Sequence, residues 1–478
     1  MNASTITVHW HNDNQPIYSI DFQPGENHRF KRLATGGGDN NIRIWQLHHD
    51  NQFKPSIEYI STLRKHTQAV NVVRFSNQGD FLASGSDDRS LLIWKKSPTI
   101  IKEINDDGDD DDELQESWQV ICQIRSSTAE INDICWSPDD KYIVTGSMDN
   151  SLRIYHLEIG KTDKLLAKLV TTSQEHSHYI QGVYWDPLNH YVVSQSVDRS
   201  IIIYSFNDNT LKIQTKLSKF NNQNLFYSET LQSFFRRLAF SPDGAFMLTP
   251  ASLDTNEFPV VYVFTRNNLS NPAFKITGIN KPAIAISFNP IKYRGNSQIT
   301  NLPYKYFFSI ATKDSVFLYS TDDLQPIAFV SNLHFSTITD LRWDHDGSKI
   351  IVSSADGFCS VIFIDSSLLG DKYIDSNLGQ NDILKNSEPR VEPKQFILEN
   401  EPIVNNEINE MKTEIKHQTQ TIPEPIETNS PKNIPESYSN SANPPELESD
   451  NSKKSTIDQF FTPKTKQKKR IQPTLISQ

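Results

Sequence analysis

The chain has 478 residues, 36% hydrophobic and 22% charged, and 58 acidic residues against 47 basic ones give a net charge of −11. That length exceeds one ordinary domain, and the three cysteines, Cys122, Cys135 and Cys359, have neither disulfide-framework nor metal-ligand spacing. No signal-peptide pattern opens the chain and no run of about 18 apolar residues could span a bilayer, so a soluble intracellular protein is expected.

In chain order, the first predicted element is a strand over residues 4–11, centred on Thr5-Ile6-Thr7-Val8-His9-Trp10. From Pro16 to Ile364 one phrase then recurs seven times: an apolar strand, a turn, a small-residue strand, an aspartate, and a strand ending in an aromatic or aliphatic residue. The second copy is the fullest, running from His66 through Val72-Val73-Arg74-Phe75, Phe81 to Ser86 and Asp87-Asp88 to Leu91-Leu92-Ile93-Trp94. The later copies are degenerate: Arg237 to Phe264, Ile284 to Tyr319 and Ile338 to Ile364 are recognised by β-branched and aromatic runs, broken in the fifth and seventh copies by Pro-Asp-Gly or Asp-Gly turns. A period of this kind predicts an all-β, seven-bladed propeller over residues 1–366, with the strand at 4–11 closing the last blade.

Spacing sharpens the repeat. Asp39 and Trp45, Asp88 and Trp94, Asp149 and Tyr155, and Asp198 and Tyr204 are each six residues apart, with Thr35, Ser84, Thr145 and Ser194 each four residues before the aspartate. His66 and His176 each precede their aspartate by 22 residues. This pattern resembles the WD40 repeat, and the resemblance implies a buried hydrogen-bonded chain of histidine, hydroxyl, aspartate and tryptophan within a blade.

Catalytic motifs are not apparent. No phosphate loop, nucleophile elbow or metal-ligand cluster of recognisable spacing occurs. Gly36-Gly37-Gly38-Asp39 sits where the next copy has Ser86-Asp87-Asp88 and reads as a tight blade turn. His9-Trp10-His11 and His176-Ser177-His178 are the nearest approach to metal pairs, and His176 belongs to the repeat. A binding platform without cofactor, metal or enzymatic activity is expected.

Charge is distributed unevenly. An acidic loop over 105–113, containing Asp106-Asp107-Gly108-Asp109-Asp110-Asp111-Asp112-Glu113, enlarges the connection between the second and third copies and reads as a solvated loop or a contact for a basic partner. Residues 367–478 contain no tryptophan and are rich in Asn, Ser, Glu, Lys and Pro, the composition of a disordered tail. From Asn451 onward, Lys453, Lys454, Lys464, Lys466, Lys468, Lys469 and Arg470 face only Asp458.

Two tail peptides carry recognition chemistry. In 454–461, Ile457, Phe460 and Phe461 fall on one side of a helical turn, similar to the peptides that dock on the replication sliding clamp, although Lys454 stands where that motif begins with glutamine. In 468–476, Lys469 and Arg470 lead into Ile471, Pro473, Leu475 and Ile476, a pattern suited to adding a strand to a partner's sheet. It resembles the B-domain-like motif with which histone-chaperone subunits bind the anti-silencing-function chaperone.

Propeller, tail and terminal peptide together resemble the medium WD-repeat subunit of chromatin assembly factor 1, in a fungal version. The resemblance implies a nuclear histone-chaperone subunit acting in DNA replication and repair. Its implied partners are the large and small subunits, the anti-silencing-function chaperone and histones H3 and H4, with DNA reached through the complex and no membrane contact. The alternatives are a replication-independent histone regulator subunit, whose chains continue into a second folded domain, and a WD40 substrate receptor of a ubiquitin ligase.

Overall fold

A computed structural model describes residues 1–25, 32–49, 54–100, 114–160, 165–220, 222–231, 233–295 and 302–374. Within them the chain forms seven four-stranded antiparallel sheets. The innermost strands are Ile17–Phe22, Val70–Phe75, Ile131–Trp136, Ile180–Trp185, Ala239–Phe240, Ala283–Phe288 and Ile338–Trp343, which define blades 1 to 7. The acidic loop at 105–113 and both tail peptides lie outside the described residues.

Position in a blade determines residue type. An inner strand is covered on both faces, so Val70–Phe75 is buried at every residue, its four apolar side chains packed between blades and its polar Asn71 and Arg74 hydrogen-bonded to partners inside the ring. An outer strand such as Pro55–Arg64 begins by alternating half-buried and exposed residues, because only one face meets the blade. The residue after the turn aspartate adopts a left-handed conformation in five blades, at Asn40, Arg89, Asn150, Arg199 and Gly357, which lets the chain reverse tightly.

Six inner strands share a second irregularity. Their pairing shifts between Ile17 and Ser19, Val70 and Val72, Ile131 and Asp133, Ile180 and Gly182, Ala283 and Ala285, and Ile338 and Asp340. A bulge at the same place in each blade adds twist and re-aims the side chains that follow. Asp21, Arg74, Asp133, Cys135, Tyr184, Arg237, Asp340 and Arg342 consequently line one central cavity.

The ring closes on an N-terminal strand that differs from the one expected at 4–11. Asn2–Ile6 pairs with Cys359–Phe363, from Asn2 opposite Phe363 to Ile6 opposite Cys359. Val8 to His11 leave the sheet because Trp10 and His11 are needed inside. The Trp10 indole is fully buried, lies 5.0 Å from the Trp45 ring, and donates to the Ile6 carbonyl at 3.1 Å.

The chain stays packed on the propeller past the boundary expected at 366. Asp365 caps a single helical turn, Ser366–Leu369, by accepting from the Ser367 amide at 2.9 Å. Leu369 is buried against the sixth and seventh blades. Beyond it the Arg294 amide donates to the Asp371 carbonyl at 2.8 Å and the Tyr373 amide to the Lys292 carbonyl at 2.9 Å. Residues 371–373 thus dock on the hairpin Tyr293–Arg294 and Tyr304–Lys305, an insertion between the first two strands of blade 6.

A longer insertion joins blades 4 and 5 and delivers Phe234 and Phe235 to the ring axis. Both are completely buried with Tyr18, Ala69, Ile284 and Ala355, and Met148 and Tyr179 pack alongside. The aromatic pair thereby plugs the channel at the end where the inner strands begin. Gly182 permits the insertion to pass, since a Cβ there would stand 1.9 Å from the Arg236 carbonyl oxygen. Gly182→Ala is expected to destabilise the ring by about 1–3 kcal/mol through overpacking, read as a lower urea midpoint with an unchanged slope.

Candidate functional site

The polar residues of the repeat form two groups: staples within blades and charges across the channel. In blade 2, His66 Nδ1 lies 2.9 Å from Asp88 and Nε2 2.7 Å from Ser84, while the Trp94 indole donates to Ser84 at 2.8 Å. Blade 4 repeats the arrangement, with His176 at 3.0 Å from Asp198 and 2.8 Å from Ser194, but Tyr204 turns its hydroxyl to Ser173 at 3.1 Å.

Blade 1 obtains its histidine from an unexpected place. His11 Nδ1 is 2.7 Å from Asp39 and Nε2 is 2.9 Å from Thr35, which accepts from the Trp45 indole at 3.0 Å. Burial lowers the His11 pKa despite the hydrogen bond and charge of Asp39. A neutral ring donating from Nδ1 and accepting at Nε2 satisfies every group in this chain. Burial alone would raise Asp39, but the hydrogen bond from His11, with the Asn12 amide and Arg43, brings it down to about 2. Gly36 and Gly37 belong to the strand Arg32–Gly37, not to the turn, and a Cβ on Gly37 would lie 2.5 Å from His11 Nδ1.

His11 precedes Asp39 by 28 residues because the 3-10 turn Asn12–Asn14 lengthens the approach to the inner strand and the connection from Phe22 to Leu33 is longer than that from Phe75 to Leu82 in blade 2, so a search at a spacing of 22 passes over it. His334 does stand 22 residues before Asp356, at 3.2 Å, yet blade 7 lacks the hydroxyl four residues before the aspartate that marks the other copies. Ser360 supplies that hydroxyl instead, 3.0 Å from His334 Nε2 and 2.8 Å from Thr5 of the closing strand. Blade 3 has Ser127 at the histidine position, and Arg153 replaces the imidazole by holding Asp149 through two bonds of 3.0 and 2.7 Å. Thr145 is fully buried on the same sheet.

His9 meets Asn14 at 3.2 Å, and His178 lies 3.7 Å from Glu229. Among the described residues, no group of three or more His, Cys, Asp or Glu is placed to hold a metal ion.

The channel charges have no counterpart among the residues expected from sequence, although aligning the third and fifth residues of the inner strands collects Asp21, Arg74, Asp133, Asp340 and Arg342; Arg237 lies two residues before the short inner strand of blade 5. Asp340 is the hub. Its Oδ2 accepts from Arg74 Nη1 at 3.0 Å, Ser19 Oγ at 3.1 Å and the Ile20 amide at 3.3 Å, with Arg237 Nη1 at 3.4 Å. Arg237 also donates to the carbonyls of Tyr18, Thr339 and Asn71 at 3.0, 2.6 and 3.0 Å. Burial opposes the charge on Asp340, but Arg237, Arg74 and Arg342 outweigh it and hold the carboxyl at about 2. Asp133 is driven the other way, because burial exceeds the pull of Arg237 and Arg74.

Seven blades, internal polar staples and a plugged channel define a WD-type β-propeller, a rigid platform whose titratable groups are largely engaged in holding it together. The chain belongs to the CAF1B/HIR1 β-propeller family, whose domain model matches residues 1–369. It is 37% identical over 414 residues to the B subunit of chromatin assembly factor 1 from Saccharomyces cerevisiae, covering 77% of this chain and 86% of that one. The Schizosaccharomyces pombe counterpart is 36% identical over 467 residues, covering 78% and 89%. Protein HIRA of Oryza sativa subsp. japonica is more distant, 32% identical over 391 residues, with 76% of this chain matched to only 38% of that protein.

Asp39→Asn is expected to cost about 1–2 kcal/mol at pH 7. Because the folded Asp39 pKa lies below its ordinary 3.8, its contribution is complete above that value and is lost as the pH falls toward 2. Urea denaturation of both proteins across that range should show the deficit narrowing with falling pH.

Proposed function

We propose that this chain is the propeller subunit of a chromatin assembly factor 1 complex, a non-enzymatic histone chaperone component that works in the nucleus. The observation that carries the reading is the match to relatives named for that factor along nearly their full length, against a match to under half of the HIRA protein. The engagement of His11, His66, His176 and His334 in blade staples supports a scaffold rather than a catalyst.

In this role the ring holds the other subunits, and the peptide at 468–476 recruits a donor carrying H3 and H4. Arg470 pairs with an acidic group on the anti-silencing-function chaperone, while Ile471 and Leu475 fill apolar pockets beside an added strand. Lys469, Pro473 and Ile476 complete the matched motif. Ile457, Phe460 and Phe461 offer a second peptide for the sliding clamp. The linear motifs after residue 374 add recognition peptides to the ring, and the acidic stretch at 105–113 has the charge to contact basic partners such as histones.

Affinity purification from nuclear extract should recover large and small subunits of the assembly factor with H3 and H4. Recovery of a cullin scaffold, or of HIR-type subunits alone, would contradict the assignment. A chain carrying Ile471→Ala and Leu475→Ala should lose the anti-silencing-function chaperone in a pull-down while retaining the large subunit; undiminished chaperone in that pull-down rules out the proposed docking.

A further inference from the structure

The channel has one sealed end and one lined by charge. Phe234 and Phe235 fill it where the inner strands begin. At the opposite end Phe22, Pro24, Asn77, Trp136 and Arg342, at or just beyond the inner-strand ends, contribute to a cavity of about 210 Å³. That space accommodates one amino-acid side chain or a small cluster of waters.

Its walls carry more unmatched donors than acceptors. Arg74 Nη2, Arg237 Nε and Arg342 Nε are buried without a hydrogen-bond partner, and among the carboxylates lining the cavity only Asp133 Oδ1 is in the same state. The Arg74 and Arg237 side chains are 7% and 4% exposed. They approach Asp133 Oδ1 only to 3.9 and 3.8 Å, beyond hydrogen-bond reach. Arg342 Nε stands 3.5 Å from Asp21 Oδ1 without bonding it. The unmatched amide oxygens of Asn71, Asn132 and Gln181 belong to residues that do not line the cavity.

We propose that this cavity receives a carboxylate, the side chain of an acidic segment on a partner protein that enters from the face where the inner strands end. A carboxylate is acceptor-only and matches guanidinium forks geometrically. Tyr184, which lines the cavity, adds a hydroxyl donor. A lysine or arginine side chain would meet the same three guanidinium groups, and of the three lining carboxylates Asp340 is already engaged by Arg74, Ser19 and the Ile20 amide. Burial also presses the Asp133 and Asp21 carboxyls toward their neutral forms, which lessens repulsion of an incoming anion. The site lies on the ring and is independent of the terminal peptide.

Calorimetric titration of the full chain with a short blocked Gly/Ser peptide carrying two adjacent glutamates tests this. Binding should vanish when the glutamates are replaced by glutamines or lysines. Arg342→Gln should weaken it about tenfold or more, Arg342→Lys less so. Tyr184→Phe keeps the ring's volume and should weaken binding by about threefold to tenfold, which keeps the test open if Arg342→Gln melts early. Equal binding of the glutamine peptide, unchanged affinity in Tyr184→Phe and any folded Arg342→Gln, or no binding by the glutamate peptide at millimolar concentration would overturn the proposal.

Discussion

One buried carboxylate, Asp340, is the contact on which the ring most depends. From blade 7 it reaches Ser19 and Ile20 of blade 1, Arg74 of blade 2 and Arg237 of blade 5. Neighbouring blades already share apolar packing, but packing alone does not tie blades that face each other across an axis. Charges do so here, and they survive burial because each is answered by opposite charge and by main-chain groups. Removing one member leaves the others desolvated and uncompensated, at a cost of about 3–5 kcal/mol.

The same logic operates at smaller scale within blades. A histidine, a hydroxyl and a turn aspartate satisfy one another in blades 1, 2, 4 and 7, and in blade 7 the closing strand joins through Thr5. Where the histidine is missing, as in blade 3, an arginine four residues after the aspartate takes over. Blade 6 is held on one side by aromatic packing, with Phe308 stacked on Tyr319 at 5.5 Å. Different residues therefore meet one requirement, that buried polar groups find partners.

Fold class and blade number are legible in the sequence because strand pattern repeats locally, and the spacing of 22 marks His66 and His176 directly. His11 escapes that spacing because the turn before the inner strand and the connection after it are both longer than in the other copies, and Ser360 escapes it because the hydroxyl has moved to the neighbouring strand. The closing strand ends earlier than its pattern suggests, since Val8 to Trp10 alternate like a strand yet Trp10 is drawn into the core. The channel network is invisible in any single copy: Arg74, Arg237 and Asp340 meet only after the ring closes. A sequence motif records neighbours along the chain, and this site is made of neighbours across it.

Asp340 and its arginines couple opposite blades into one cooperative body, and a double-mutant cycle in urea on Arg237→Met and Asp340→Leu measures that coupling. We expect an interaction energy of about 2 kcal/mol or more, with the double variant less destabilised than the two single effects would give. Additivity within about 0.5 kcal/mol would show that the two side chains do not hold the ring together.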